Sequence, residues 1–136
     1  MTAREMKIRQ ENRSAAVDYL KKAADNYEQM LSAFNASNWN AAATLAVQCA
    51  ISSADAVCVH EKGVRSVSQD HLDVCDLVAQ LPLEGAQEKS RQLRKIVARK
   101  NIVQYQCRSV HKVDADEMVK VTTRIYQWVL GCLNKK

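Results

Sequence analysis

Three glycines and a single proline are all the special turn chemistry that 136 residues possess. A sandwich, a barrel or a many-stranded sheet needs a turn signal roughly every 8–12 residues, so those architectures are excluded. Alanine, valine, leucine and glutamine abound while aromatic residues make up 5%, a composition that favours helix. The length suits one domain spanning residues 1–136, which buries about two-thirds of its unfolded surface and needs no disulfide or metal staple.

The apolar spacing divides this domain into four or five helices. An opening helix, or two abutting ones, starts near Thr2 and carries Leu20, Tyr27, Leu31 and Phe34 at three- and four-residue steps. The polar cluster Asn35 to Asn38 stops it, and Asn38 caps a second helix from about Trp39 to Lys62. The inward face of that second helix (Trp39, Ala42 or Ala43, Ala46, Cys49 or Ala50, Ser53, Val57) is built mostly from small residues, which let helix axes approach closely. This places it at the bundle centre, with Gly63 ending it in the left-handed conformation.

A short third helix opens at Ser68, turns Leu72, Cys75, Leu77 and Leu81 inward, and ends at Pro82. The fourth runs from about Ala86 to Val110, and a fifth starts at Asp114 with Glu117 completing a capping box. Short connections between such helices predict an all-α, up-and-down antiparallel bundle.

Charge is unevenly distributed. Residues 1–88 carry 8 Lys/Arg and 12 Asp/Glu, whereas residues 89–136 carry 12 and 3, so a −4 half precedes a +9 half. Between Lys89 and Lys112 there are eight basic residues and no acid. A field of that sign attracts phosphate; the other reading is a solvated face, or one opposite acids such as Asp70, Asp73 and Asp76. Asn101, Tyr105, Arg108 and Lys112 fall on one helical face with Arg94, so an amide, a phenol and cations can meet phosphate and a stacked base there. Equally, the tyrosine can bond within the bundle and leave the cations in solvent.

The five cysteines (Cys49, Cys58, Cys75, Cys107, Cys132) lack the close spacing that structural zinc needs, so no metal and no cofactor are expected. Most adjoin apolar faces and behave as small hydrophobes. With no signal-like start, they fit reduced thiols and a cytoplasmic location. The apolar stretches are short and interrupted, so no membrane span is expected.

The alanine-rich run Asn38-Trp39-Asn40-Ala41-Ala42-Ala43, the sequence Asp70-His71-Leu72 after Gly63, and Lys100-Asn101-x-x-x-Tyr105 together resemble HEPN domains (higher eukaryotes and prokaryotes nucleotide-binding) from about Ala15 to Leu133. The resemblance implies a helical bundle that commonly dimerises with its motif helix near the two-fold axis. Many such domains are metal-independent ribonucleases, often toxins paired with a small nucleotidyltransferase. Their signature is an arginine followed, four to six residues on, by a histidine that assists proton transfer while the arginine stabilises developing charge.

Here Lys100, with Arg99 adjacent, stands at the arginine and Tyr105 at the histidine, and a phenol with an ordinary pKa of about 10 is a poor proton carrier at neutral pH. Arg65 and His71 match the spacing literally, yet they span the loop into the third helix and read as coincidence. The resemblance therefore implies an RNA- or nucleotide-binding homodimer with weak or lost ribonuclease activity. Its site would use Arg99, Lys100 and Arg108 on phosphate, Asn101 as an orienting amide and Tyr105 as a stacking ring. The alternatives are an active ribonuclease using Arg99 and Tyr105 with His111 as proton carrier, and a non-enzymatic protein-interaction bundle.

Overall fold

Trp39–Lys62 forms the central helix, α2, and backbone chemistry sets both of its ends. At the start the Asn38 carbonyl accepts the Ala42 N–H at 2.9 Å, while the Asn38 side chain makes no capping bond. At the end Gly63 sits at φ 66° and its N–H returns to the Val59 carbonyl at 2.9 Å. The computed structural model that shows this describes residues 7–68, 71–105 and 109–134, without the side chains at 101, 102, 104 and 105.

Among the described residues four further α-helices surround α2: α1 (Ala16–Asn35), α3 (Leu72–Ala79), α4 (Ala86–Tyr105) and α5 (Lys112–Asn134). The chain is therefore an all-α bundle, as its periodicity requires. Ala42, Ala43, Ala46, Cys49, Ala50 and Ser53 are all fully buried, and the small side chains admit close neighbours. The Cys49 thiol reaches the Ala23 carbonyl of α1 at 3.4 Å, and the Thr122 hydroxyl of α5 donates to the Ala46 carbonyl at 3.3 Å. Ser90 on α4 donates to the Cys75 carbonyl of α3 at 2.8 Å. In each case a buried polar group inside the packing is satisfied by a backbone carbonyl.

By length and mean hydropathy, 1.5 over its most apolar window, α2 would suffice to cross a membrane, although its apolar runs are short. In this fold 72% of that window is buried by the other helices. The apolarity is that of a core helix.

The opening segment departs from the expected continuous helix. Ile8–Gln10 is a strand, β1, paired antiparallel with β2 (Val64–Ser66), Arg9 lying opposite Arg65. Asn12 then accepts the Ser14 N–H at 3.0 Å and starts a single 3-10 turn ahead of α1. The expected cap Thr2 lies outside the described residues. The strand forms because Gly63 turns the chain straight out of α2 and offers a free edge, which local periodicity cannot reveal.

The third helix also starts later than expected. His71, at φ 58°, occupies the cap position in the left-handed conformation, and Ser68 belongs to the loop before it. Leu72 is consequently 39% exposed, whereas Cys75, Leu77, Val78 and Leu81 point inward. The fifth helix begins at Lys112, with the His111 carbonyl accepting the Asp114 and Ala115 N–H groups at 3.1 Å.

Candidate functional site

The β-ribbon fixes the site. Gly63 lets β2 leave α2 beside Glu11, whose N–H donates to the Gly63 carbonyl at 2.8 Å. Two residues after Gly63, β2 presents Arg65, and the segment that follows is tied down at three points. Val67 N–H donates to the Lys7 carbonyl at 3.0 Å, Ser68 N–H to the Ser66 hydroxyl at 3.2 Å, and Lys7 N–H to the buried Asp73 carboxylate at 3.1 Å. These bonds carry the loop back over α2 and bring His71 within one cavity of Arg65.

That cavity, about 470 Å³, is bounded by Asp55 of α2, Arg65, Ser66 and Ser68 of the β2 segment, His71, and Lys100 of α4. A second cavity of about 380 Å³ adjoins it, sharing Ile51, Asp55 and Arg65 and extending past Tyr19, Lys22, Asn26, Gln48 and Ser52. Asp55 and Arg65 thus line both cavities, the larger and the smaller lobe on either side of this pair.

Electrostatics around this pair are unusual for a helical core. Asp55 is 6% exposed, and burial pushes its carboxyl up to about 7, against the opposing pull of Arg65 and Lys22. Arg65 Nε lies 3.8 Å from Asp55 Oδ2, and no hydrogen bond satisfies that buried Nε. The Arg65 guanidinium also lies 5.2 Å from the Tyr19 ring centre, a cation–π contact. The Tyr19 phenol donates to Glu11 at 2.7 Å, and burial together with that bond raises its pKa.

The residues expected to bind phosphate are separated by the structure. Lys100 borders the cavity. Its neighbour Arg99 points away, because consecutive helical residues diverge by about 100°. Arg99 reaches α5 instead, pairing with Asp114 at 3.2 Å and Glu117 at 3.6 Å. Arg94, expected on the basic face without a carboxylate, is paired with Asp76 of α3, one of the acids named in the opposing reading. Lys112 sits 5.9 Å from the Trp39 ring centre. Asn101 and Tyr105 lie on the last turns of α4 with side chains outside the description, and Arg108 lies outside the described residues. His111 is exposed at the start of α5 and does not border the cavity.

Arg65 and His71, set aside in the sequence as a coincidence of spacing, share a cavity wall with Lys100. Asp55 was missed altogether, although a signal existed. It is the one charged residue between Trp39 and Val59, an isolated carboxylate in an alanine-rich helix.

Four cysteines are buried, and Cys107 lies outside the described residues. Burial pushes the Cys49 thiol up to about 12 and raises that of Cys58 further, so neither supplies a thiolate nucleophile near neutral pH.

Comparison with known families matches residues 16–133 to the model of the HEPN domain. No curated protein and no solved structure matches the chain.

Proposed function

The chain belongs to the HEPN family, and from that premise we propose that it is an RNA- or nucleotide-binding module holding phosphate in the cleft beside Lys100. One observation carries this reading: Lys100, the motif position on α4, borders the same cavity as Arg65 and His71. The donors converge from three different elements, with the Ser66 and Ser68 loop between them, an arrangement suited to phosphate oxygens. Lys100 replaces Arg99 as the principal cation in this reading, since Arg99 already serves two carboxylates.

The test is binding of a labelled single-stranded RNA across a salt series. Lys100→Ala should weaken binding several-fold and flatten the salt dependence by about one phosphate contact. Binding that is unchanged in low salt overturns the proposal. Absence of any RNA or nucleotide binding by the wild type favours a protein partner for the basic face.

The family resemblance adds a homodimer with the motif helix, α4, near its axis, and pairing with a small nucleotidyltransferase-type protein. Light scattering on the purified chain tests the first, and co-purification with such a partner the second.

A second reading, retained ribonuclease activity, is favoured by the shared cavity of Arg65 and His71. An imidazole can move the 2′-hydroxyl proton while a guanidinium stabilises the charged phosphorane. Labelled RNA left intact in chelator at several pH values excludes it.

A further inference from the structure

Among the described residues, the Asp55 carboxylate is a buried acid with one imperfect partner. It is 6% exposed, and no hydrogen bond from any described residue reaches it; the nearest cationic atom, Arg65 Nε, stays at 3.8 Å. An ionised carboxylate offers only acceptors, and with no protein donor on them its oxygens must be served from the cavities that Asp55 lines. Both lobes of the cleft open onto it. A ligand able to satisfy this group must bring hydrogen-bond donors to it, and a paired set matches its two oxygens, while the cations of the larger lobe call for an anion on the same ligand.

We propose that Asp55 reads the Watson–Crick edge of guanine, making the two-lobed cleft a guanine-nucleotide site. The inference rests on the phosphate-binding reading above and adds the base. Guanine presents two adjacent N–H groups, N1–H and the 2-amino group, which match the two oxygens of one carboxylate. Adenine and cytosine present one amino group beside a ring nitrogen acceptor, which repels a carboxylate oxygen. Uracil presents a single N–H between two carbonyls. The base lies against Ile51 in the smaller lobe, where Asn26, Gln48 and Ser52 offer further polar contacts, and the phosphate lies toward Lys100 and His71. Solvent in the cleft can serve Asp55 in the free protein, and the two converging donors displace it.

Calorimetric titration of the full chain at pH 8 with GMP, AMP and XMP tests this directly. The wild type should bind GMP at least tenfold more tightly than AMP. Asp55→Asn should lose that preference and gain affinity for XMP, whose 2-carbonyl accepts from the new amide; circular dichroism and a melting curve verify that the variant folds. If Asp55→Asn does not fold, Asp55→Ser serves in its place, and loss of the GMP preference in whichever variant folds is the supporting result. Equal affinities overturn base reading by Asp55, as does a GMP preference that survives Asp55→Asn. If the two nucleotides bind equally and Lys100→Ala weakens both, base reading falls and phosphate binding stands. If the wild type binds neither nucleotide nor RNA, both readings fall.

Discussion

Arg65 Nε stops 3.8 Å short of Asp55 Oδ2, near enough for charge attraction and too far for a hydrogen bond. The pair comes from two elements, α2 and β2, that the Gly63 turn forces side by side. The Arg65 guanidinium is shared with the Tyr19 ring, which it overlies at 5.2 Å. The carboxylate is thus buried with one imperfect partner.

Folding stability should therefore fall as pH rises. Burial raises the Asp55 carboxyl from 3.8 to about 7, so between those values the folded chain binds more protons than the unfolded chain. The destabilisation is absent below about pH 4, grows through the interval and is complete above about pH 7. A shift of that size corresponds to roughly 4 kcal/mol across the window. Asp55→Asn removes this contribution. Melting temperatures measured from pH 5 to pH 8 should decline less in the variant, and parallel declines would refute the assignment.

Gly63→Ala should destabilise the chain by about 1–2 kcal/mol. Gly63 holds φ 66°, and an added Cβ would also stand 3.2 Å from the Glu11 carbonyl oxygen. The same strain loosens β2, so urea unfolding should show the lost stability and RNA affinity should fall with it. Lost stability with unchanged affinity would mean that the turn does not position Arg65.

Most of the helical framework was legible in the sequence because its signals are local. Gly63, Pro82 and the Asn35–Asn38 cluster act on adjacent backbone, and the alanine stripe announces a central helix at its own positions. The β1–β2 pairing was not legible: three residues near the start meet three that lie more than fifty positions later, and neither triplet has a period long enough to detect. The start of α3 at His71 was not legible either, since a histidine at φ 58° carries no local sequence signal of the kind glycine gives. Of the residues bordering the cleft, Lys100 is the one the family motif points to. Asp55 required only attention to a lone charge among alanines, but its role depends on Arg65 and Lys100 arriving from other elements.

Ala46→Leu should cost about 1–3 kcal/mol through overpacking. Ala46 is fully buried on α2, and its carbonyl accepts the Thr122 hydroxyl at 3.3 Å. A larger side chain pushes α5 outward and strains that bond. Denaturant titration reads the loss. A variant as stable as the wild type would show that the α2–α5 spacing has slack.

Arg99 and Lys100 are adjacent in sequence and should separate completely in function. Arg99 joins α4 to Asp114 and Glu117 of α5, with its side chain 34% exposed and its partners 40% and 54% exposed. Solvent screening at that exposure limits the pairs to about 0.5–1 kcal/mol together, so Arg99→Ala should lower stability by about that amount and leave RNA binding nearly unchanged. Lys100 borders the cleft and contacts no acid among the described residues, so Lys100→Ala should leave stability nearly unchanged and weaken binding. Denaturant unfolding and RNA titration on both variants resolve the two effects. If Arg99→Ala weakens binding more than Lys100→Ala does, the phosphate lies on the α5 side of the helix and the cleft is not its site.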